Sequence, residues 1–354
     1  MQVLLKIVLS PFSVLYGIIT LLRNKLFDWK IFRSVSFDDP TICVGNLNTG
    51  GTGKSPMIEY LIRILQKHYK NIATLSRGYG RKTKGFIMAS EQTTASETGD
   101  EPQQFYRKFK NISVAVCENR ITGVQNLLKS DPKPDVILLD DAFQHRRIKP
   151  GMNILLTEYD NLYVYDFMLP SGRLRENKYG AKRANVIILT KSPENLSESE
   201  KEMIKNRLSP RSYQRVLFSH LKYCNPVSLK NETEVFDLNA AIDTEILLFT
   251  GIANPKPLEL FLSDKCKEIH VLSFRDHHDY SDADIEKISG EFCTIVSKKK
   301  AIFTTEKDFV RLMHHKNFSK LLSYPVYYVP VEMDFDDNDK IICEQIILDY
   351  ARKN

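Results

Sequence analysis

The sequence predicts an α/β protein: a P-loop NTPase-like, doubly wound, mostly parallel sheet, then a second, smaller α/β domain. A β-hairpin linker joins the two, and a membrane-associated helix precedes them. Three observations carry this reading. A β-branched apolar run through Thr41, Ile42 and Val44 enters a glycine-rich turn that ends in Gly53-Lys54-Ser55. Short apolar runs without polar alternation then alternate with helically spaced segments, the pattern of a parallel sheet covered on both faces. Residues 7–22, IVLSPFSVLYGIITLL, carry no charge.

The N-terminal run comes first in the chain. Lys6 precedes it and Arg23, Lys25, Lys30 and Arg33 follow. It lacks the small-x-small cleavage site of a signal peptide. Interrupted by Pro11 and Gly17, it falls short of the roughly 20 apolar residues of a usual span. A helix lying in or dipping into one leaflet is expected, with its basic flank on the cytoplasmic side. Residues 1–30 are read as this anchor; the sequence leaves monotopic and spanning helices both open.

Residues 31–214 are read as the P-loop domain. Asn48, Thr49, Gly50, Gly51, Thr52, Gly53, Lys54 and Ser55 form the expected nucleotide-binding loop, whose glycines let backbone N–H groups approach phosphate oxygens. Lys54 is placed to reach the β/γ-phosphates and the Ser55 hydroxyl to hold Mg²⁺. Asn48 stands where such loops usually open with Gly or Ala. Pro56 falls in the first turn of the following helix, and Met57, Ile58, Leu61, Ile62, Ile64 and Leu65 repeat at helical spacing. Strands are expected at 71–76, 113–117, 135–139, 153–157 and 185–190, with helices at 103–109 and 121–128. Residues 215–239 read as short β segments with a hairpin turn at 230–232, and 240–354 as an α/β domain with strands at 245–250, 268–274, 301–304 and 326–331.

Composition bounds the function. At 354 residues the chain suits two domains. A net charge of +6, spread along the chain, suits anionic ligands or an anionic membrane and requires no nucleic acid. Six cysteines without a CxxC pair suggest neither a zinc site nor a disulfide framework. No obligate protein partner is expected.

Several clusters carry chemistry. Asp140-Asp141 ends the apolar run 135–139, the expected Walker B element, and adjacent residues on a strand face opposite ways. Gln144, His145, Arg146 and Arg147 follow it, at the strand end where ligands bind in open α/β sheets. Arg77 and Tyr79 follow the strand 71–76, Arg120 the strand 113–117, and Arg173 and Arg175 occupy a loop. Arginines converging in this way suit a polyanionic transition state, though each alone reads equally as a surface residue. Asp100 and Glu101, in the turn Thr98-Gly99-Asp100-Glu101-Pro102, read either as a helix N-cap or as a carboxylate that accepts a nucleophile's proton. The run Asp276-His277-His278-Asp279 reads as a polar turn, a metal site, or a histidine assisting a carboxylate.

In order along the chain, VGNL, GGTGKSP, LSRGYGR, GDEP, LLDDAFQHR, PSGRLRE, FTGIANP, FRDHHDY and TTEKD resemble the tetraacyldisaccharide 4'-kinases of lipid A biosynthesis. The resemblance spans nearly the whole chain, and that family's P-loop also lacks the leading glycine. It implies an ATP- and Mg²⁺-dependent kinase at the cytoplasmic face of the inner membrane of Gram-negative bacteria. The reaction implied is phosphorylation of the 4'-hydroxyl of a tetraacyl glucosamine disaccharide 1-phosphate to give lipid IVA. Carried over by motif, Lys54 and Ser55 serve the phosphates and Mg²⁺, with Asp140, Asp141 and Glu101 at the metal. Asp100 is the general base paired with His277, and Arg77, Tyr79, Arg120, Gln144 and Arg173 position phosphate and substrate. Closure of one domain on the other is expected to bring Asp100 and His277 together. The rival class is a P-loop ATPase or GTPase switch, such as a metallochaperone using 276–279 as its metal site.

Overall fold

The computed structural model describes residues 2–276, 278–313 and 315–353. Among them the strands run, in chain order, β1 (Thr41–Asn46), β2 (Ile72–Ser76), β3 (Ile87–Met88), β4 (Ile112–Val116), β5 (Val136–Asp140), β6 (Met152–Glu158) and β7 (Val186–Thr190). There follow β8 (Arg215–Tyr223), β9 (Val227–Ser228), β10 (Glu245–Thr250), β11 (Glu268–Ser273), β12 (Lys300–Thr305), β13 (Val326–Val329) and β14 (Val331–Phe335). They form two sheets, one ordered β14-β8-β7-β6-β1-β5-β2-β4-β3, the other β11-β10-β12-β13-β9.

The larger sheet is parallel from β8 through β4. Its alternating residues feed two cores. Ile42 and Val44 pack with Met57 and Leu61 of the helix Lys54–Leu65 and with Cys343 and Ile347 of the C-terminal helix Asp337–Lys353. Cys43, on the other face, joins Val124 and Leu127 of the helix Arg120–Leu127 and Ile204 and Leu208 of the helix Glu198–Leu208. Helices on both faces explain why these strands are apolar at nearly every position. Full burial of one such side chain stabilises by roughly 1.5–3 kcal/mol. β1 and β5 are neighbours, with Val44 opposite Asp140, so the P-loop and the Walker B acids leave the sheet side by side.

The smaller sheet is also parallel, apart from β9 on its edge. Ile285, Ile288 and Phe292 of the helix Asp282–Thr294 cover one face, and Leu258 and Leu262 of the helix Lys256–Ser263 the other.

The chain forms two compact units: Met1–Gln92, Phe105–Leu221 and Met333–Asn354 make the first, and Thr93–Gln104 and Lys222–Glu332 the second. This differs from the sequence reading in three places. Residues 215–221, expected in the linker, are parallel neighbours of β7 in the larger sheet; only 227–235 keeps the hairpin form, with a bridge from Val227 to Val235. The last helix, expected in the C-terminal domain, buries Cys343, Ile347 and Ala351 in the first unit's core. Thr93–Gln104, expected with the P-loop, belongs to the second unit, because Lys307 pairs with Glu101 and Arg311 with Asp100.

The N-terminal helix, Gln2–Asp28, is built inside out relative to a soluble surface helix. Among the described residues its buried ones, Ser13, Thr20 and Asn24, are polar: Ser13 bonds Ser171 at 2.8 Å and Asn24 donates to Glu176 at 2.6 Å, while the half-buried Tyr16 hydroxyl donates to the Arg175 carbonyl. Asp28 at its end pairs with Arg146 and Lys182. Ile7, Val8, Phe12, Val14, Leu15, Ile18, Ile19 and Leu22 face outward, exposed. Lys6–Asp28 has a mean hydropathy of 1.5 with only 17% of its apolar window buried, so by length and composition it qualifies for a membrane.

Candidate active site

The nucleotide loop is held open by its neighbours. Gly53 caps the helix Lys54–Leu65 at φ 82°, a left-handed conformation that suits glycine. A side chain on Gly50 or Gly51 would meet nothing within 4 Å, so this stretch of backbone lies open to a ligand. Asn46, at the end of β1, donates to the Thr52 hydroxyl at 2.8 Å, and the Thr190 hydroxyl of β7 donates to the Thr52 carbonyl at 3.0 Å. The Thr49 N–H donates to the Arg173 carbonyl at 2.7 Å. Asn48 is buried and donates to Asp166 at 2.7 Å, and Asp166 accepts in turn from Arg173 Nε at 3.0 Å.

Around the loop stands a charged cluster. Lys54 Nζ lies 4.0 Å from Asp141. Arg175 forks onto both oxygens of Asp141, at 2.8 and 3.1 Å, and also donates to the Asn46 side chain. Burial pushes the Asp141 carboxyl up, but Arg175, Lys54 and Arg120 outweigh it and hold it below the usual carboxylate range. Asp140 is buried at the end of β5, whereas Asp141 has left the strand at φ 47° and is partly exposed. The two acids therefore differ in setting, not because adjacent strand residues face opposite ways but because the strand ends at Asp140. Ser55 is buried at the start of the helix. Two carboxylates and a hydroxyl are hard oxygen donors that fit Mg²⁺.

The remaining predicted residues of this unit distribute as follows. Arg120 is buried and held by the carbonyls of Cys117, Glu118 and Asp140, at 3.0, 3.3 and 3.4 Å. Burial lowers its proton affinity against the pull of Asp140 and Asp141. Gln144 donates to the Asn46 carbonyl, and its own side-chain carbonyl has no partner among the described residues. His145 is biased toward the neutral form by burial and then by Arg120. Arg77 and Tyr79 are exposed beyond β2. Arg146 turns instead to Asp28 and the Asn24 carbonyl of the N-terminal helix. Arg175 was read from sequence only as one of a group of arginines, without its partner Asp141, and Asn46 and Asp166 were not singled out.

The second unit brings together four of the motifs. Asp100 accepts from Arg311 Nε at 2.8 Å, and Glu101 from Lys307 at 2.7 Å. Arg311 Nη1 also donates to the Gly251 carbonyl at 3.0 Å and to Asp308 at 3.1 Å. Asp308 accepts from the Gly251 N–H and the Thr305 hydroxyl. A side chain on Gly251 would come within 3.0 Å of Asp308 and 3.2 Å of His278 and of the Tyr280 hydroxyl, so these side chains would have to shift to admit one. His277, the predicted partner of Asp100, lies outside the described residues. His278 is bonded to Asp284 at 3.0 Å and stacked on Phe274 at 4.8 Å, which commits it to the packing of its own turn. The expectation that Asp100 lies in a different domain from Asp276 and His278 is corrected: these residues belong to one unit.

An open, doubly wound sheet, a P-loop and a Walker B pair together define a P-loop nucleotide-binding α/β protein. A family model described as tetraacyldisaccharide-1-P 4'-kinase (LpxK) matches residues 5–349. A tetraacyldisaccharide 4'-kinase of Flavobacterium johnsoniae is 46% identical over 351 residues, covering 99% of this chain and 98% of the relative. One from Bacteroides thetaiotaomicron is 44% identical over 355 residues, covering 98% and 93%. The crystal structure of LpxK from Aquifex aeolicus in complex with ATP superposes with a TM-score of 0.74 at 28% identity, covering 98% of this chain and 99% of that one. The chain belongs to the tetraacyldisaccharide 4'-kinase family.

Proposed function

We propose that this protein is an ATP-dependent lipid kinase that transfers the γ-phosphate of ATP to the 4'-hydroxyl of an acylated disaccharide 1-phosphate, at the cytoplasmic face of the inner membrane. The observation that carries this is the cluster of Lys54, Asp141 and Arg175 around an open glycine loop, in a chain of this family. In this reading the loop N–H groups and Lys54 hold the triphosphate, and Arg173 and Arg175 offset its charge. Ser55, Asp140 and Asp141 would hold Mg²⁺, which would supply charge neutralisation at the β- and γ-phosphates. Each oxygen of Asp141 accepts one hydrogen bond from Arg175 and keeps a further lone pair, so the guanidinium and an ion can share the carboxylate. Glu101, paired with Lys307 through one oxygen, is proposed as a further metal ligand.

Asp100 accepts the proton of the acceptor hydroxyl as its oxygen bonds to the γ-phosphorus and the bond to the β–γ bridging oxygen breaks. The outward apolar face of the N-terminal helix favours a lipid acceptor over a soluble one. Because the opposite face is bonded along much of its length to 171–182, a helix lying in the interface is the reading adopted here. Incubation with ATP and the lipid disaccharide 1-phosphate, followed by ³¹P NMR of the lipid, tests the proposal. A second monoester phosphate at the 4' position is expected. ATP hydrolysis with an unchanged lipid would favour the ATPase alternative instead.

A further inference from the structure

We propose that Arg311 is a positioning residue for the transfer, orienting the Asp100 carboxylate through its Nε–H, and that Asp308 anchors it there. This rests on the reading of Asp100 as the base. Arg311 is held from three sides within one unit: its Nε meets Asp100 at 2.8 Å, and its Nη1 meets the Gly251 carbonyl and Asp308. The Gly251 carbonyl and Asp308 hold the guanidinium from its Nη1 end, so its Nε–H meets the Asp100 carboxylate from a set direction. The side chain of Arg311 is 7% exposed and that of Asp308 is 0% exposed. A buried ion pair is weak evidence for stability by itself, because desolvation offsets much of the attraction. This one joins the loop after β10, the turn containing Asp100 and the helix Glu306–Leu312. The same short helix also grips Glu101 through Lys307, so both acids of the Gly99–Pro102 turn take their orientation from it.

The test is steady-state kinetics of the full chain in mixed micelles with ATP and the acylated disaccharide 1-phosphate. Arg311→Gln is expected to lower kcat about a hundredfold, the scale of a misplaced reacting group, with the KM for ATP within about twofold of the parent. Arg311→Lys keeps the charge but not the fork and is expected to recover about tenfold of that loss; it also serves if the Gln variant fails to fold. In an Asp100→Asn background, Arg311→Gln is expected to cost nothing further, since it acts through the group already removed. Parental kcat in Arg311→Gln, or losses that multiply with Asp100→Asn, would overturn the proposal. Parental kcat in Asp100→Asn alone would instead remove the base reading, whatever Arg311 does.

Discussion

Asn48 stands at a position where most nucleotide loops begin with glycine, and its side chain has a job that glycine lacks. It reaches Asp166, which also takes the Nε and the backbone N–H of Arg173. One carboxylate thus ties the start of the loop to a candidate phosphate-binding arginine. Asp166→Ala removes part-buried bonds to Asn48 and Arg173, the charged one contributing only about 1 kcal/mol with the arginine open to solvent. It is expected to raise the KM for ATP at least tenfold while leaving the helical circular dichroism unchanged. Asp141 makes a pH prediction. Its carboxyl titrates below the usual range in the fold because Arg175 and Lys54 favour the charged form over the cost of burial. Such a group stabilises the fold above its unfolded value, about 3.9, and that stabilisation is lost as pH falls through the folded value. Thermal melts of the parent and Asp141→Asn should therefore differ by a constant amount at neutral pH and converge below about pH 4. A gap that persists at low pH would mean that the charge is not what matters.

Among the secondary-structure elements, the N-terminal helix makes the sharpest statement. Its docked face is polar, so the outward residues can change without touching the fold. Phe12→Asp with Ile18→Asp is expected to abolish flotation with anionic vesicles while preserving the melting temperature. A drop in melting temperature would mean that these residues pack against protein. The strands around the site were legible because each is a short apolar run that stops at polar or charged residues, and β2, β4, β5, β6 and β7 fall within about a residue of their expected ends. β3 and β9 were not, being only two residues each and lacking any period to read. β8 was misread as linker because parallel pairing with β7 is a long-range event that leaves no mark on the local sequence.

At the level of the two units, the sequence could not show how the chain is partitioned. Asp100 opens the helix Asp100–Lys108, whose Phe105 is buried in the first core, so its neighbours in sequence point to the P-loop unit. Its ion pair with Arg311 lies 211 positions away and decides otherwise. The nucleotide loop and Walker B acids were readable because each sits within one short motif, with spacing set by the ligand. The groups that orient them, Arg175 and Asp166, reach them only in three dimensions, as Arg311 reaches Asp100 within the second unit. The first unit thus carries the groups proposed for the phosphoryl donor, and the second the proposed base. Transfer to a lipid hydroxyl rather than to water is the central claim, and the fate of the γ-phosphate of labelled ATP tests it most directly. With the acylated disaccharide 1-phosphate present, label should enter the lipid in proportion to the ADP formed, and Lys54→Ala should lower both about 10²–10³-fold. Label appearing only as free phosphate, at a rate indifferent to the lipid, would contradict it.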